Sequence, residues 1–197
     1  MFQTNASFVL ASASPRRKEL LATLQLPFEI VTSDVEETSV QATTMREYVK
    51  EVALLKTRDV AKKTLGATVI GADTIVVFEE ALLHKPKTRE EAVSHLSRLS
   101  GTSHAVMTAV AIIEPSGRET TFIEETKVVF RAISKELMEA YVASGDPFDK
   151  AGGYGIQTAG ALFVEQIEGD YNNVVGLPIA TLFEQLVTLQ LIQFAKE

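Results

Sequence analysis

The stretch that most limits what this chain can fold into is Phe8-Val-Leu-Ala-Ser-Ala-Ser-Pro-Arg-Arg-Lys-Glu-Leu-Leu21, where a strand passes almost directly into a helix. Phe8 to Ala11 is an apolar strand, and Ser12-Ala13-Ser14 is a turn of small residues. Pro15 is suited to the first helical position, with Ser14 as its N-cap. Arg16 and Arg17 then stand in the first helical turn, where the helix dipole already places partial positive charge. Two cations there make sense if an anion sits against them and the free backbone N–H groups, and phosphate is the usual occupant of such a place. The plainer alternative is that both arginines pair with surface carboxylates.

Composition narrows the class of function. A chain of 197 residues fits one domain, or one domain in two lobes, with room for a substantial core. With 46% apolar and 23% charged residues it reads as globular rather than disordered. No apolar run is long enough to cross a bilayer, and the first residues lack the basic region of a signal peptide. Without cysteine there is neither a disulfide framework nor thiolate chemistry. These absences suit a cytoplasmic enzyme. The net charge of −7 argues against a generic nucleic-acid binder, which needs a basic face. A phosphorylated small molecule needs only a local basic pocket.

Phe28 to Ser33 reads as a second strand, and Asp34-Val-Glu-Glu-Thr38 follows it. That acidic run is either a solvated turn or a source of carboxylate for a hard divalent cation. Thr44-Met-Arg-Glu47 is a capping box opening a helix to about Thr64, with Met45, Tyr48, Val49, Val52 and Leu55 on one face. Lys56 lies just past that stripe, either on the surface or reaching from the core edge into a cleft.

Ala67 to Phe78 is the most apolar strand region, and Asp73 interrupts it. A carboxylate there is costly to bury unless paired or metal-bound. Gly71 and Ala72 suggest a bulge or a close backbone approach. Asp73 could instead accept backbone N–H groups at a strand break. The functional reading is favoured because perturbed carboxylates cluster at sites. Lys85 before Pro86 should be extended or in a turn. Thr88-Arg-Glu-Glu91 starts a further helix, stopped by Ser100-Gly101.

Two strands, about Ser103–Ile113 and Thr120–Ile133, form a hairpin and make the sheet mixed. Ser134 caps a helix through Val142. The segment 146–160 is rich in glycine and carries Asp149, Lys150 and Gln157 as polar heads; it is a second functional candidate, or a flexible surface loop. Ala161 to Ile167 reads as a strand, and the final helix begins at Ile179. The chain has no P-loop, and Gly152-Gly-Tyr-Gly155 lacks the preceding strand of a dinucleotide fingerprint. His84, His95 and His104 have no chelating spacing, and neither Ser12 nor Ser14 has an evident His–Asp pair.

Ala-Ser-Ala-Ser-Pro-Arg-Arg-Lys-Glu-Leu-Leu (11–21), Gly-Ala-Asp-Thr (71–74), Lys-Pro (85–86), Leu-Ser-Gly (99–101), Asp-Lys-Ala-Gly-Gly-Tyr-Gly-Ile-Gln (149–157) and Gly-Leu-Pro (176–178), taken in order, resemble the Maf family. The family's members are nucleoside triphosphate pyrophosphatases related in fold to inosine triphosphatases. The Ala-Asp-Thr and Gly-Ile-Gln variants resemble the branch acting on dTTP and UTP. The resemblance implies that Asp73 is the proton acceptor and that Arg16, Thr74 and Gln157 set substrate choice. It implies Glu37, with Asp73, as metal ligand, and Ser12, Arg17, Lys56 and Lys85 along the triphosphate. Two features depart from the family pattern near Lys85. His84 stands where Gly is common, and Glu79-Glu80 replaces an Asp/Asn-Gly turn.

The expected fold is therefore α/β, a long curved mixed sheet flanked by helices, in two lobes with a central cleft, as in inosine triphosphatases. The expected reaction is hydrolysis of dTTP or UTP to monophosphate and pyrophosphate, with Mg²⁺ or Mn²⁺ as cofactor. The expected partner is the nucleotide, with no nucleic acid and no membrane; a homodimer stays open. Two other readings stand beside this one. The first is a non-catalytic nucleotide-binding regulator of division or septum formation, which gains nothing from a carboxylate beside the phosphates. The second is a pyrophosphatase for modified nucleotides, which would differ only in its base pocket.

Overall fold

The computed structural model describes residues 1–36 and 40–195. In chain order these form β1 (Phe2–Gln3), β2 (Phe8–Ala11), α1 (Pro15–Ala22), β3 (Phe28–Ile30), α2 (Met45–Lys63), β4 (Thr68–Phe78), β5 (Ala81–Leu83), α3 (Arg89–Leu99), β6 (Ser103–Ile113) and β7 (Glu119–Phe130). Next come α4 (Lys135–Ala143), three short 3₁₀ turns between Asp146 and Phe163, β8 (Val164–Glu168), α5 (Tyr171–Val175), α6 (Ile179–Thr188) and β9 (Gln193–Phe194). The main sheet has the order β3-β2-β4-β6-β7-β8, with β5 paired to β4. Strands β2, β3 and β4 run parallel, whereas β4–β5 and β7–β8 are antiparallel, so the sheet is mixed. No helix among the described residues is long and apolar enough to cross a membrane.

Helix starts follow local chemistry. Ser14, Thr44, Thr88 and Ser134 each accept a hydrogen bond from the backbone N–H three residues on. Each such cap stabilises its helix by about 1 kcal/mol.

By contact density the chain divides into two compact units. The first comprises Met1–Asp73, Thr108–Ile123 and Gly176–Glu197; the second comprises Thr74–Met107 and Glu124–Val175. In the first unit the two-residue period of β2 and β4 builds a core on each face. Phe8, Leu10 and Ile70 pack with Leu21 and Leu24 near α1 and with Leu182 and Leu186 of α6. Val9, Ala11 and Val69 pack with Val60 of α2. The second unit has its own core, built on Leu96 and Leu99 of α3, Met138, Tyr141 and Val142 of α4, and the rings of Phe130, Tyr154 and Phe163.

Three expectations need correction. The second strand stops at Ile30, short of Ser33, and β7 stops at Phe130, short of Ile133. Residues Ala159–Phe163 form a 3₁₀ turn, so the strand expected from Ala161 begins only at Val164. Leu162 is 59% exposed, so the apolar run there is not all core. The glycine-rich segment is packed at Gly152, Gly153 and Tyr154, although Gln157 and Thr158 are exposed. Gly152 is buried at φ +70°, and a Cβ on it would come within 2.9 Å of the Val76 side chain.

Glu79 and Glu80 form the two-residue connection between Phe78 and its partner Ala81. Both have left-handed φ, +49° and +59°. A hairpin turn of this kind favours Asn-Gly, and left-handed backbone costs other residues about 1–2 kcal/mol each. The turn geometry is thus kept although the favoured residues are absent. Replacing Glu79→Asn together with Glu80→Gly should raise unfolding stability by about 1 kcal/mol or more, measured by denaturant titration.

His104 is buried against Phe130, with its Nε2 at 2.8 Å from the Tyr154 hydroxyl. Burial pushes its pKa from 6.5 down to about 4. Between those values the unfolded chain takes up a proton that the folded chain refuses, so stability falls as pH drops from about 6.5 to about 4. The expected slope from this one group is about 1.4 kcal/mol per pH unit. His95 is lowered as well, by burial and then by Arg98. Comparing unfolding of wild type and His104→Gln across this window isolates the His104 contribution, which the variant should lack.

Candidate functional site

The register Ala11↔Gly71 sets the C-terminal end of β2 beside β4 just before Asp73. In open α/β sheets, ligands bind outside the carboxyl ends of parallel strands. Here Ser12 leaves β2, and α1 opens at Pro15. Ser12 is buried; its Oγ accepts from the Ser14 N–H at 3.2 Å and from Arg17 Nη1 at 3.4 Å. Arg17 also donates from Nε to the Gly176 carbonyl at 2.8 Å. That contact ties the first turn of α1 to the Gly-Leu-Pro segment 176–178. Arg16 and Arg17 are both half-buried in this first turn. Arg17 therefore has a structural partner as well as a place at a cationic helix end.

Strand alternation places Asp73 on the same face as Val69 and Gly71, towards α2. Helix α2 lies very close there. A Cβ on Gly71 would overlap Thr57 Oγ1 and come within 3.1 Å of Thr57 Cβ. Gly71 is thus a site of close approach. Thr57 is fully buried, and its hydroxyl donates back to the Ala53 carbonyl at 2.6 Å. The buried residues of α2 are Val49, Val52, Ala53, Leu54, Thr57 and Val60, shifted from the stripe read in the sequence, because Tyr48 and Leu55 are only half-buried. Lys56 belongs at the edge of this face. Its Nζ meets Asp73 Oδ1 at 2.8 Å, with side-chain exposures of 19% and 12%. Asp73 is therefore buried and paired with a cation.

The second unit carries Thr74, Lys85 and Gln157. Thr74 is half-buried on β4. Lys85 is exposed between His84, whose carbonyl accepts from Gly152 N–H at 3.3 Å, and buried Pro86. Gln157 is exposed in a turn closed by the Thr158 N–H to the Gly155 carbonyl at 3.2 Å. Lys150 is turned inward, to the Asp146 carbonyl (2.8 Å), Asp146 Oδ1 (3.0 Å) and Asp149 Oδ1 (2.6 Å). It is a buried, paired cation. Glu37 lies outside the described residues. Sequence reasoning missed Thr57 and the Gly176 carbonyl; for Thr57 the available signal was its spacing from Ala53 and Val60 along α2.

The family model described as Maf-like protein matches residues 7–189. The chain belongs to the Maf-like proteins. A protein of Bacillus cereus (strain ATCC 14579) named dTTP/UTP pyrophosphatase is 49% identical over 178 residues, covering 90% of this Maf-like chain and 93% of that protein. One of the same name from Geobacillus sp. (strain WCH70) is 46% identical over 181 residues, covering 92% and 97%. The fold is similar to that of a HAM1 protein from Coxiella burnetii, with a TM-score of 0.55 at 18% identity, covering 94% of this chain and 98% of that one.

The close approach of α2 to β4 gives a direct test. Gly71→Ala forces Thr57 to move and should cost about 1–3 kcal/mol of stability, as overpacking does. Adding Thr57→Ala removes the colliding hydroxyl and should recover most of the loss. Denaturant unfolding of the single and double variants measures both. An additive double variant would mean that the two residues do not collide.

Proposed function

We propose that this chain hydrolyses nucleoside triphosphates, with dTTP and UTP preferred, between the α- and β-phosphates, releasing monophosphate and pyrophosphate. The observation that carries this reading is Asp73, a buried carboxylate held by Lys56 at the carboxyl end of parallel strands. The relatives named dTTP/UTP pyrophosphatase support the substrate. The family match runs through both units and supports taking residues 1–197 as one Maf-like domain.

In this reading Arg16, Arg17 and Lys56 offset phosphate charge, and the Ser12 turn and the first N–H groups of α1 orient the phosphates. Asp73 accepts a proton from the attacking water. Thr74, Lys85 and Gln157 are assigned to the ligand on the sequence resemblance alone. Among the described residues, no three His, Asp or Glu side chains converge into a metal cage. One carboxylate near a phosphate pocket nevertheless suits Mg²⁺ or Mn²⁺, which takes most of its ligands from phosphate and water. Asp73, with Glu37 as the second ligand the resemblance implies, would hold such an ion, which when bound polarises a phosphate oxygen.

The test is a nucleotide panel assayed for monophosphate and pyrophosphate. Pyrophosphate should appear from dTTP and UTP; release of orthophosphate, or no turnover of either, overturns the reading. Asp73→Asn keeps shape and a hydrogen bond from Lys56 but loses basicity. It should lower kcat by about a hundredfold or more while remaining folded. Near-normal turnover in the folded variant would remove Asp73 from the chemistry.

A further inference from the structure

Outside the proposed phosphate machinery, a polar network in the second unit converges on Asp146. Its Oδ2 accepts from the Tyr141 hydroxyl and from Thr158 Oγ1, the latter at 2.6 Å. Its Oδ1 accepts from Lys150 Nζ at 3.0 Å. The Tyr141 oxygen in turn accepts the Gly155 N–H at 3.0 Å. Burial raises the Asp146 carboxyl, but hydrogen bonds from Thr158, Tyr141 and Lys150, then the Lys150 charge, outweigh it and hold the group below the usual carboxylate range. Burial, then the bond to Asp146, push the Tyr141 phenol up, so its hydroxyl stays a donor.

Gly155 and Thr158 are the two ends of the turn that has Ile156 and Gln157 at its centre. Both ends are thus tied to one carboxylate oxygen, Gly155 through Tyr141 and Thr158 directly. Tyr141 and Asp146 lie on or just past α4, whose packing against α3 belongs to the core of this unit. The Thr158 hydroxyl also lies 3.0 Å from the Gly155 carbonyl, but bonds within a turn do not fix its orientation on the rest of the unit. Anchoring each end to a rigid helix fixes where its central residues point, and pre-organised polar contacts depend on that placement.

We infer that Asp146, with Tyr141 and Thr158, is a positioning device that fixes the Gln157 turn and so sets base preference. The inference rests on the proposed reading of Gln157. Asp146 and Thr158 touch no substrate in it; they act through the turn.

The test uses the full chain with Thr158→Val, Thr158→Ser and Asp146→Asn. Thr158 is exposed, so its variants are not expected to jeopardise folding. Four quantities are compared: kcat/KM for UTP, for dTTP and for GTP, and the inhibition constant of inorganic tripolyphosphate, which has no base. Thr158→Val and Asp146→Asn should lower kcat/KM for UTP and dTTP by about tenfold or more, in keeping with the cost of small misplacements, and narrow the preference over GTP. Tripolyphosphate inhibition should not move, and Thr158→Ser, which keeps the hydroxyl, should behave as wild type. Unchanged base preference in folded Thr158→Val overturns the inference, as do a parallel loss of tripolyphosphate binding or a Thr158→Ser variant as impaired as Thr158→Val. If wild type itself releases no pyrophosphate from UTP or dTTP, the functional reading falls first and takes the inference with it.

Discussion

The candidate site depends on how near α2 comes to β4. Gly71 has no side chain where Thr57 needs the space, and that lets the helix settle on the strand. One residue before Thr57, Lys56 reaches Asp73, two residues after Gly71. A bulkier residue at 71 would move the helix and stretch the 2.8 Å ion pair. The pair itself is a poor source of stability. Desolvating two charges offsets most of their attraction, and apolar residues of similar volume often do as well or better. Its place in the core is therefore better explained by chemistry than by folding.

The first turn of α1 shows a similar division of roles. Arg17 is held by Gly176 and Ser12, so its guanidinium is oriented before any ligand arrives. Such orientation reduces the entropy lost on binding, which is large for a long flexible side chain. Ser12 works the same way. Its hydroxyl closes the turn that aims the N-terminus of α1, so one residue shapes the loop and stands at its rim.

What the sequence made legible was local. The caps at Ser14, Thr44, Thr88 and Ser134 are patterns spanning four residues and appear as read. The parallel strands and the hairpin from Ser103 follow from runs of apolar residues and their breaks. Asp73 stood out because a carboxylate in an apolar strand demands a partner. The partner's identity was not legible. Lys56 lies 17 residues away, and the face of α2 it occupies was fixed by packing of Ala53, Thr57 and Val60 rather than by the larger Tyr48 and Leu55. Lys150, read as one of the polar heads of the glycine-rich segment, is held by acceptors on Asp146 that follow from the 3₁₀ turn at Asp146–Asp149. The run from Ala161 failed because apolar residues signal burial more reliably than they signal strand.

In the proposed reading, a chain of net charge −7 must set local charge against the field of the whole molecule to hold a triphosphate. At physiological salt the screening length is about 8 Å, so distant carboxylates count for little against cations at contact distance. Arg16, Arg17 and Lys56 supply those cations from two helices of one unit. Asp73 works against them, and Lys56 is partly spent on neutralising it. For a protein that only binds a polyanion, this arrangement is a loss: an apolar residue at 73 would free Lys56 and remove a repulsive charge. For a hydrolase it is a gain. In that reading a carboxylate held beside the phosphates can take a proton and share a divalent cation, and phosphate competes with it for the Lys56 ammonium. The ion pair therefore favours the proposed hydrolase over a protein that only binds a polyanion.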